Sequence, residues 1–215
     1  VQFVTGETPQ TVIETIKSLV SNEFFPWHLN TVQQVSDFVN ILPFDRKTNE
    51  ATCAIESALL DLLGRYEGKP VIDYFDKTFF TPKIYYSAII PLGGKEVVNQ
   101  FCEGIRSLAL KQVRVKVDRD FRHNKETLEL VRNRLGDSCE LTIDPNAIWD
   151  SDLAFKHLPL LRDLGVKTVE EPMPREAEGF EDFAKALRDS NIQLMACESA
   201  ITFDDVKKIV SEKLY

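Results

Sequence analysis

The sequence predicts an α/β protein with a parallel sheet wrapped by helices, of the (β/α)₈ barrel kind, and three observations point there. From Lys83 onward strand-like and helix-like patterns alternate, the signature of a parallel sheet with helical crossovers. The expected strand ends, at Ile90, Lys116, Asp144, Glu170 and Cys197, each fall 26 to 28 residues after the last, a regular unit that suits a barrel. No glycine-rich phosphate loop follows the first strand, which counts against the alternative, a doubly wound sheet. Five strands fit into this chain, whereas eight close a barrel.

Taken in order, the first seventy residues read as helices. Thr8-Pro9 is a cap followed by proline at the first helical position, and Val12, Ile16, Leu19 and Val20 form an apolar stripe. A second helix is expected over Asn30–Leu42, with Val32, Val35, Phe38, Val39 and Leu42 inward. A third runs Ala51–Tyr66 on Ile55, Leu59, Leu62 and Leu63, with Ala51, Ala54 and Ala58 for close packing and Gly68 as the stop. Ile84–Pro91 follows as the first strand. Gly93–Leu110 is a helix packing through Val97, Phe101, Ile105 and Leu108. Then come a strand at Val113–Val117, a helix at Asn124–Leu135 closed by Gly136, and a strand at Glu140–Asp144. The helix Ser151–Leu164, ended by Gly165, carries Pro159, which should kink it. A strand at Val166–Glu171, a helix at Phe180–Asp189, a strand at Gln193–Cys197 and a helix at Thr202–Leu214 complete the chain. The implied domains are 1–80, mostly helical and leading to the barrel, and 81–215, the first five barrel strands. A start at Val1 rather than Met implies that the natural start lies upstream.

Composition narrows the function. Fourteen Phe, five Tyr and two Trp among 215 residues provide a core, so wholesale disorder is excluded. A net charge of −8 gives no basic patch for nucleic acid. No apolar run approaches the roughly 20 residues of a membrane span, and Val1–Val20 lacks a signal-peptide pattern. Four scattered cysteines without CxxC spacing argue against zinc or a disulfide scaffold and fit a reducing, cytoplasmic compartment.

The strand ends carry the chemistry. In Val113-Arg114-Val115-Lys116-Val117 the valines share one face and the two cations the other. With valines packed under helices, Arg114 and Lys116 point into the barrel, where they need anionic partners. Asp144, Glu170, Glu171 and Glu198 supply them at successive strand ends, and Asn146 shares a face with Asp144. Inward carboxylates at the C-terminal ends of parallel strands occupy the usual active-site mouth of a barrel and suit a hard cation such as Mg²⁺. A partly desolvated lysine beside such a cation is a usable base. Together these groups describe abstraction of a proton next to a carboxylate, giving an enolate.

Arg114-Val115-Lys116, Asp144-Pro145-Asn146, Val169-Glu170-Glu171-Pro172 and Ala196-Cys197-Glu198-Ser199 resemble the enolase superfamily, of the mandelate racemase and muconate lactonizing type, and specifically its muconate lactonizing subgroup. Val4-Thr5-Gly6-Glu7-Thr8 and Ala54–Arg65 resemble parts of that family's capping domain and its junction to the barrel. The resemblance implies that Lys116 is the acid/base, with Arg114 in the first position of the family's Lys-x-Lys pair. It implies Asp144 and Glu170 as metal ligands, for Mg²⁺ or alternatively Mn²⁺, and Asn146 as a substrate-side residue. Cys197 stands where the pattern has its third ligand, an aspartate, and a thiol is a soft donor. Either Glu198 rotates in, or two carboxylates hold the metal, or the site is degenerate. A second lysine, on the sixth strand, belongs to the subgroup's pattern but not to this chain. The capping sheet is not expected either, since helix signals begin by Thr8.

The implied function is a magnesium-dependent isomerase or lyase acting on a small carboxylate-bearing substrate by cycloisomerisation, epimerisation, racemisation or dehydration. A homo-oligomer without nucleic-acid or membrane partners is the family expectation. The alternative, motivated by Cys197, is an inactive homologue with a binding or structural role. Among other residues, His28, His123 and His157 are scattered, and His123 is read as a solvated loop residue. Cys197 has no histidine at a spacing that argues for a nucleophilic pair. Trp149 is read as loop packing, and Phe24, Phe25 and Trp27 either as a small exposed patch or as part of a hinge that packs when the full capping domain is present.

Overall fold

A computed structural model describes residues 6–43, 48–75 and 83–213. The chain divides into two compact units, 1–83 and 84–215, each with its own hydrophobic cluster. Among the described residues the first unit holds three α-helices and a short 3-10 helix, Val71–Tyr74. α1 (Pro9–Val20) begins at Thr8, whose hydroxyl caps Thr11 while the Thr11 side chain caps back. α2 (Val32–Asn40) starts with the same reciprocal cap between Thr31 and Gln34. It buries Val35, Phe38 and Val39, with Leu42 buried just beyond it. α3 (Asn49–Glu67) ends at Gly68, whose φ of 67° is left-handed, a conformation glycine adopts without strain.

Two expectations about α3 are corrected. Leu62 is exposed and Leu60 is buried in its place, because the last turns present Leu60, Leu63 and Gly64 inward instead. A Cβ on Gly64 would lie 2.7 Å from the Lys69 carbonyl, so glycine there lets the following chain fold back. Ala54 and Ala58 are exposed, and alanine serves there as a strong helix former rather than as a packing contact.

The second unit is a five-stranded parallel sheet in the order β1-β2-β3-β4-β5. Its strands are β1 (Ala88–Ile90), β2 (Gln112–Lys116), β3 (Glu140–Asp144), β4 (Thr168–Glu170) and β5 (Gln193–Met195). The helices α4 (Lys95–Ser107), α5 (Phe121–Leu135), α6 (Ser151–Asp163) and α7 (Phe180–Asp189) connect them, and α8 (Phe203–Glu212) follows β5. Sequential order without a reversal is the topology of a barrel wall and excludes the doubly wound alternative, which needs a switch point.

Several boundaries move. β1, β4 and β5 are shorter than expected, and Ile84, Tyr85 and Tyr86 stand exposed before β1. α5 starts three residues early, because Asp120 caps the backbone of Arg122 and His123. α6 runs on through Pro159. Leu214, the expected end of the last helix, and Val4-Thr5 lie outside the described residues.

One helix face is corrected. α4 buries Val98, Cys102 and Ile105, not Val97, Phe101 and Leu108. Phe101 and Leu108 instead line an apolar groove of about 370 Å³ beside β1, with Ala88, Ile89 and Leu110.

The valines of β2 are buried, as are Leu141 and Ile143 of β3; they form one cluster with the inner faces of the helices. The opposite face carries Arg114, Lys116, Asp144 and Glu170. Register places Lys116 beside Asp144 across β2 and β3.

Candidate active site

Lys116 Nζ donates to Asp144 Oδ2 at 2.6 Å and to Asn146 Oδ1 at 2.8 Å. One strand position away on the same face, Arg114 Nη1 donates to both oxygens of Glu170, at 2.8 and 2.6 Å, and stands 4.0 Å from Asp144. Asp144 and Glu170 are almost wholly buried, whereas the two cations remain about 30% exposed. Burying two carboxylates is costly without charged partners, and period-two alternation along β2 delivers both partners.

Asn146 joins this pair to the end of the sheet. Its backbone N–H donates to Asp144 Oδ1 at 2.9 Å and its Nδ2 to Glu198 Oε1 at 2.8 Å. The φ values of Asn146, Ala147 and Glu171 are 52°, 59° and 39°. Left-handed backbone in three non-glycine residues at adjacent strand ends is the kind of local strain that sites retain. Hydrogen bonds between loops offset it: Ala147 N donates to Glu171 O, Trp149 N to Pro172 O and Glu171 N to Met195 O.

Glu171 is a site residue whose role the sequence did not disclose. Buried behind β4, its Oε2 accepts from the backbone N–H of Cys197 (2.6 Å) and of Ser199 (3.1 Å) and from the Ser199 hydroxyl (2.9 Å). It therefore holds the loop that presents Cys197 and Glu198. The available signal was the second glutamate of the Glu-Glu-Pro run, read only as one more strand-end carboxylate.

Cys197 has a partly exposed side chain. Desolvation first, then the charge of Glu198 and a hydrogen bond to Glu170, push its thiol up to about 12. A protonated thiol is a poor nucleophile, and sulfur is a soft donor, ill matched to a hard cation. Glu198 differs: its Oε2 is buried with no hydrogen-bond partner, at a cost that a cation would relieve.

Asp144, Glu170 and Glu198 thus form a set of hard oxygen donors of the type a divalent cation takes, and the orphaned oxygen fits that chemistry. As they stand, Arg114 and Lys116 hold the first two. Among the described residues no three His, Cys, Asp or Glu side chains are drawn together as a metal cage.

Of the histidines, His123 is not a solvated loop residue. It lies in the first turn of α5, with Nδ1 2.9 Å from Asp118 Oδ2 and Nε2 3.2 Å from the Gly93 carbonyl. The bond to Asp118 raises its pKa. His157 is fully buried. Trp149 packs in the loop after β3 and is 2% exposed. No helix among the described residues is long and apolar enough to cross a membrane.

Comparison with known proteins gives a consistent picture. Residues 96–214 match the family model described as enolase C-terminal domain-like. An L-Ala-D/L-Glu epimerase of Bacteroides thetaiotaomicron is 26% identical over 210 residues, covering 94% of this chain and 50% of that protein. A chloromuconate cycloisomerase of Cupriavidus pinatubonensis is 29% identical over 195 residues, covering 88% and 51%. The crystal structure of a dipeptide epimerase from Enterococcus faecalis, complexed with Mg and the dipeptide L-Leu-L-Tyr, superposes with a TM-score of 0.77 at 22% identity. That alignment covers all of this chain and 58% of the other. The chain spans about half the length of the curated relatives it matches.

Proposed function

Since the chain belongs, over residues 96–214, to the enolase C-terminal domain-like family, we propose that it forms the proton-handling half of an isomerase for small carboxylates, with dipeptides as the substrate class. The observation that carries this reading is Lys116 on the inner face of β2, its Nζ held between Asp144 and Asn146 at the mouth of the strand ends. The relatives named as epimerases of L-Ala-D/L-Glu and of dipeptides favour inversion at an α-carbon over the cycloisomerisation that the muconate relative performs.

In this reading Lys116 Nζ removes the proton from the carbon next to the substrate carboxylate. The electron pair left behind delocalises into that carboxylate, and a proton donated to the opposite face by a second acid, the part of the sixth-strand lysine in the family pattern, gives the epimer. Asn146 and Asp144 fix where Nζ sits, so approach of the α-carbon needs little reorganisation. Arg114 holds Glu170 in place and keeps the buried pair electrically balanced. Asp144, Glu170 and Glu198 would hold a divalent cation, with Glu198 in the place that Cys197 leaves without an oxygen. When bound, such a cation supplies positive charge beside the substrate carboxylate. Residues 1–83 are proposed as the helical part of a capping domain.

The test uses the full-length protein in D₂O with a panel of dipeptides, following loss of the α-proton signal by NMR. Lys116→Ala should slow exchange by at least about a hundredfold, the usual share of an acid–base group, with the unfolding midpoint unchanged. Near-normal exchange in that variant overturns the assignment.

A further inference from the structure

Behind the loops that follow β2 and β3 lies a buried polar chain that the site does not use. Asn124, 1% exposed in the first turn of α5, grips one residue of the β2 loop at two points. Its Oδ1 accepts from Asp118 N at 2.9 Å and its Nδ2 donates to Asp118 O at 2.7 Å. A side-chain amide offers an acceptor and a donor side by side to the N–H and C=O of one residue.

The second hydrogen of Nδ2 faces His157 Nε2 at 3.1 Å. His157 Nδ1 lies 2.8 Å from the Leu153 carbonyl. A carbonyl only accepts, so Nδ1 carries the proton and Nε2 is the bare nitrogen that receives Asn124. His157 and Asp118 together fix which way round the Asn124 amide sits.

The same unit extends to the next loop. His157 stacks on Trp149 with ring centroids 4.1 Å apart, and Trp149 Nε1 donates to Asp118 O at 2.8 Å. Beside it Arg119 Nε donates to the Ile148 carbonyl at 2.8 Å. The Asp118 carbonyl is therefore gripped from α5 and from the β3 loop at once. Asp118 stands two residues after Lys116, and Trp149 three residues after Asn146.

We propose that Asn124 and His157 are positioning residues: oriented by the neutral imidazole and by Asp118, the Asn124 amide locks the β2 loop against the β3 loop, and so sets Lys116 Nζ against Asp144 and Asn146. The functional consequence rests on the reading of Lys116 as the acid/base, but the positioning itself does not, and the two are separable by experiment.

The full-length protein is treated with an amine-selective reductive methylation reagent. The rate at Lys116 is read by peptide mass spectrometry against exposed Lys207 on α8. His157→Leu removes the acceptor and should speed labelling of Lys116 by about tenfold, the scale of loosening one charged hydrogen bond, with Lys207 unchanged. His157→Gln offers an oxygen to Asn124 and an N–H to Leu153, and should restore the slow rate. Should His157→Leu fail to fold, Asn124→Asp, which keeps the shape but turns the donor into an acceptor, must speed Lys116 in its place.

An unchanged rate at Lys116 in a folded variant, or a His157→Gln variant as fast as His157→Leu, overturns the proposal. Faster labelling in a protein that exchanges no α-proton with any dipeptide supports the positioning and removes only the function built on it. Where a dipeptide does turn over, kcat should fall in His157→Leu while KM holds, and His157→Gln should recover it.

Discussion

His157 shows at the scale of one residue how burial sets protonation and protonation sets stability. Burial holds its pKa below the ordinary imidazole value, with Lys156 adding to that direction and the Leu153 carbonyl and Asp118 opposing it. Asn124, Trp149 and Phe121 are its other neighbours. As pH falls below about 6.5, the unfolded chain takes up a proton that the folded chain refuses, so stability is lost toward acid. His123 acts in the opposite sense: its raised pKa gives stability below the ordinary value that is lost as pH rises through the folded one. The unfolding midpoint of His157→Gln should therefore fall less steeply below pH 6.5 than that of the parent, as followed by circular dichroism. An equally steep acid limb would mean that another group carries it. Residues such as Arg114, Lys116, Asp144 and Glu170 were legible in the sequence because strand periodicity and strand ends are local signals. Asn124 and His157 were not, because their partners lie 33 positions apart and on different helices. Each alone looks like a polar residue on an amphipathic helix.

At the scale of elements, the joints between helices and strands rest on Arg132 of α5. Its Nε donates to the Leu164 carbonyl, Nη1 to those of Gly136 and Cys139, and Nη2 to that of Gly165. These carbonyls belong to the ends of α5 and α6 and to the turns leading into β3 and β4. One largely buried guanidinium thus satisfies helix C-termini that would otherwise be left open. Arg132→Met should cost about 2 kcal/mol in urea unfolding, from carbonyls left without donors. Arg132→Lys should recover little, since an ammonium lacks the fork that reaches four acceptors. Recovery by lysine would show that charge alone matters there. Helix caps such as Thr8, Gly68 and Gly136 were readable because their chemistry is written within four residues. The buried face of α4 was not, because Val97 and Val98 both continue an apolar stripe. The choice is made by packing against the sheet core, which takes Val98, Cys102 and Ile105 and which no local pattern records.

For the molecule as a whole, strand order followed from the regular spacing of strand ends, because a parallel sheet with short right-handed crossovers leaves few other topologies. Among the described residues there are two hydrophobic clusters, one in each unit. The two tryptophans differ sharply in environment, in keeping with Trp149 read as loop packing and Trp27 as part of an exposed patch. Trp27, in the first unit, is 69% exposed, whereas Trp149, in the second, is 2% exposed and stacked on an imidazole. That contrast equips the protein with two separable optical reporters. Acrylamide should silence the red emission of Trp27 and spare the blue emission of Trp149. With no label added, one fluorimeter trace would follow the unfolding of each unit by its own colour.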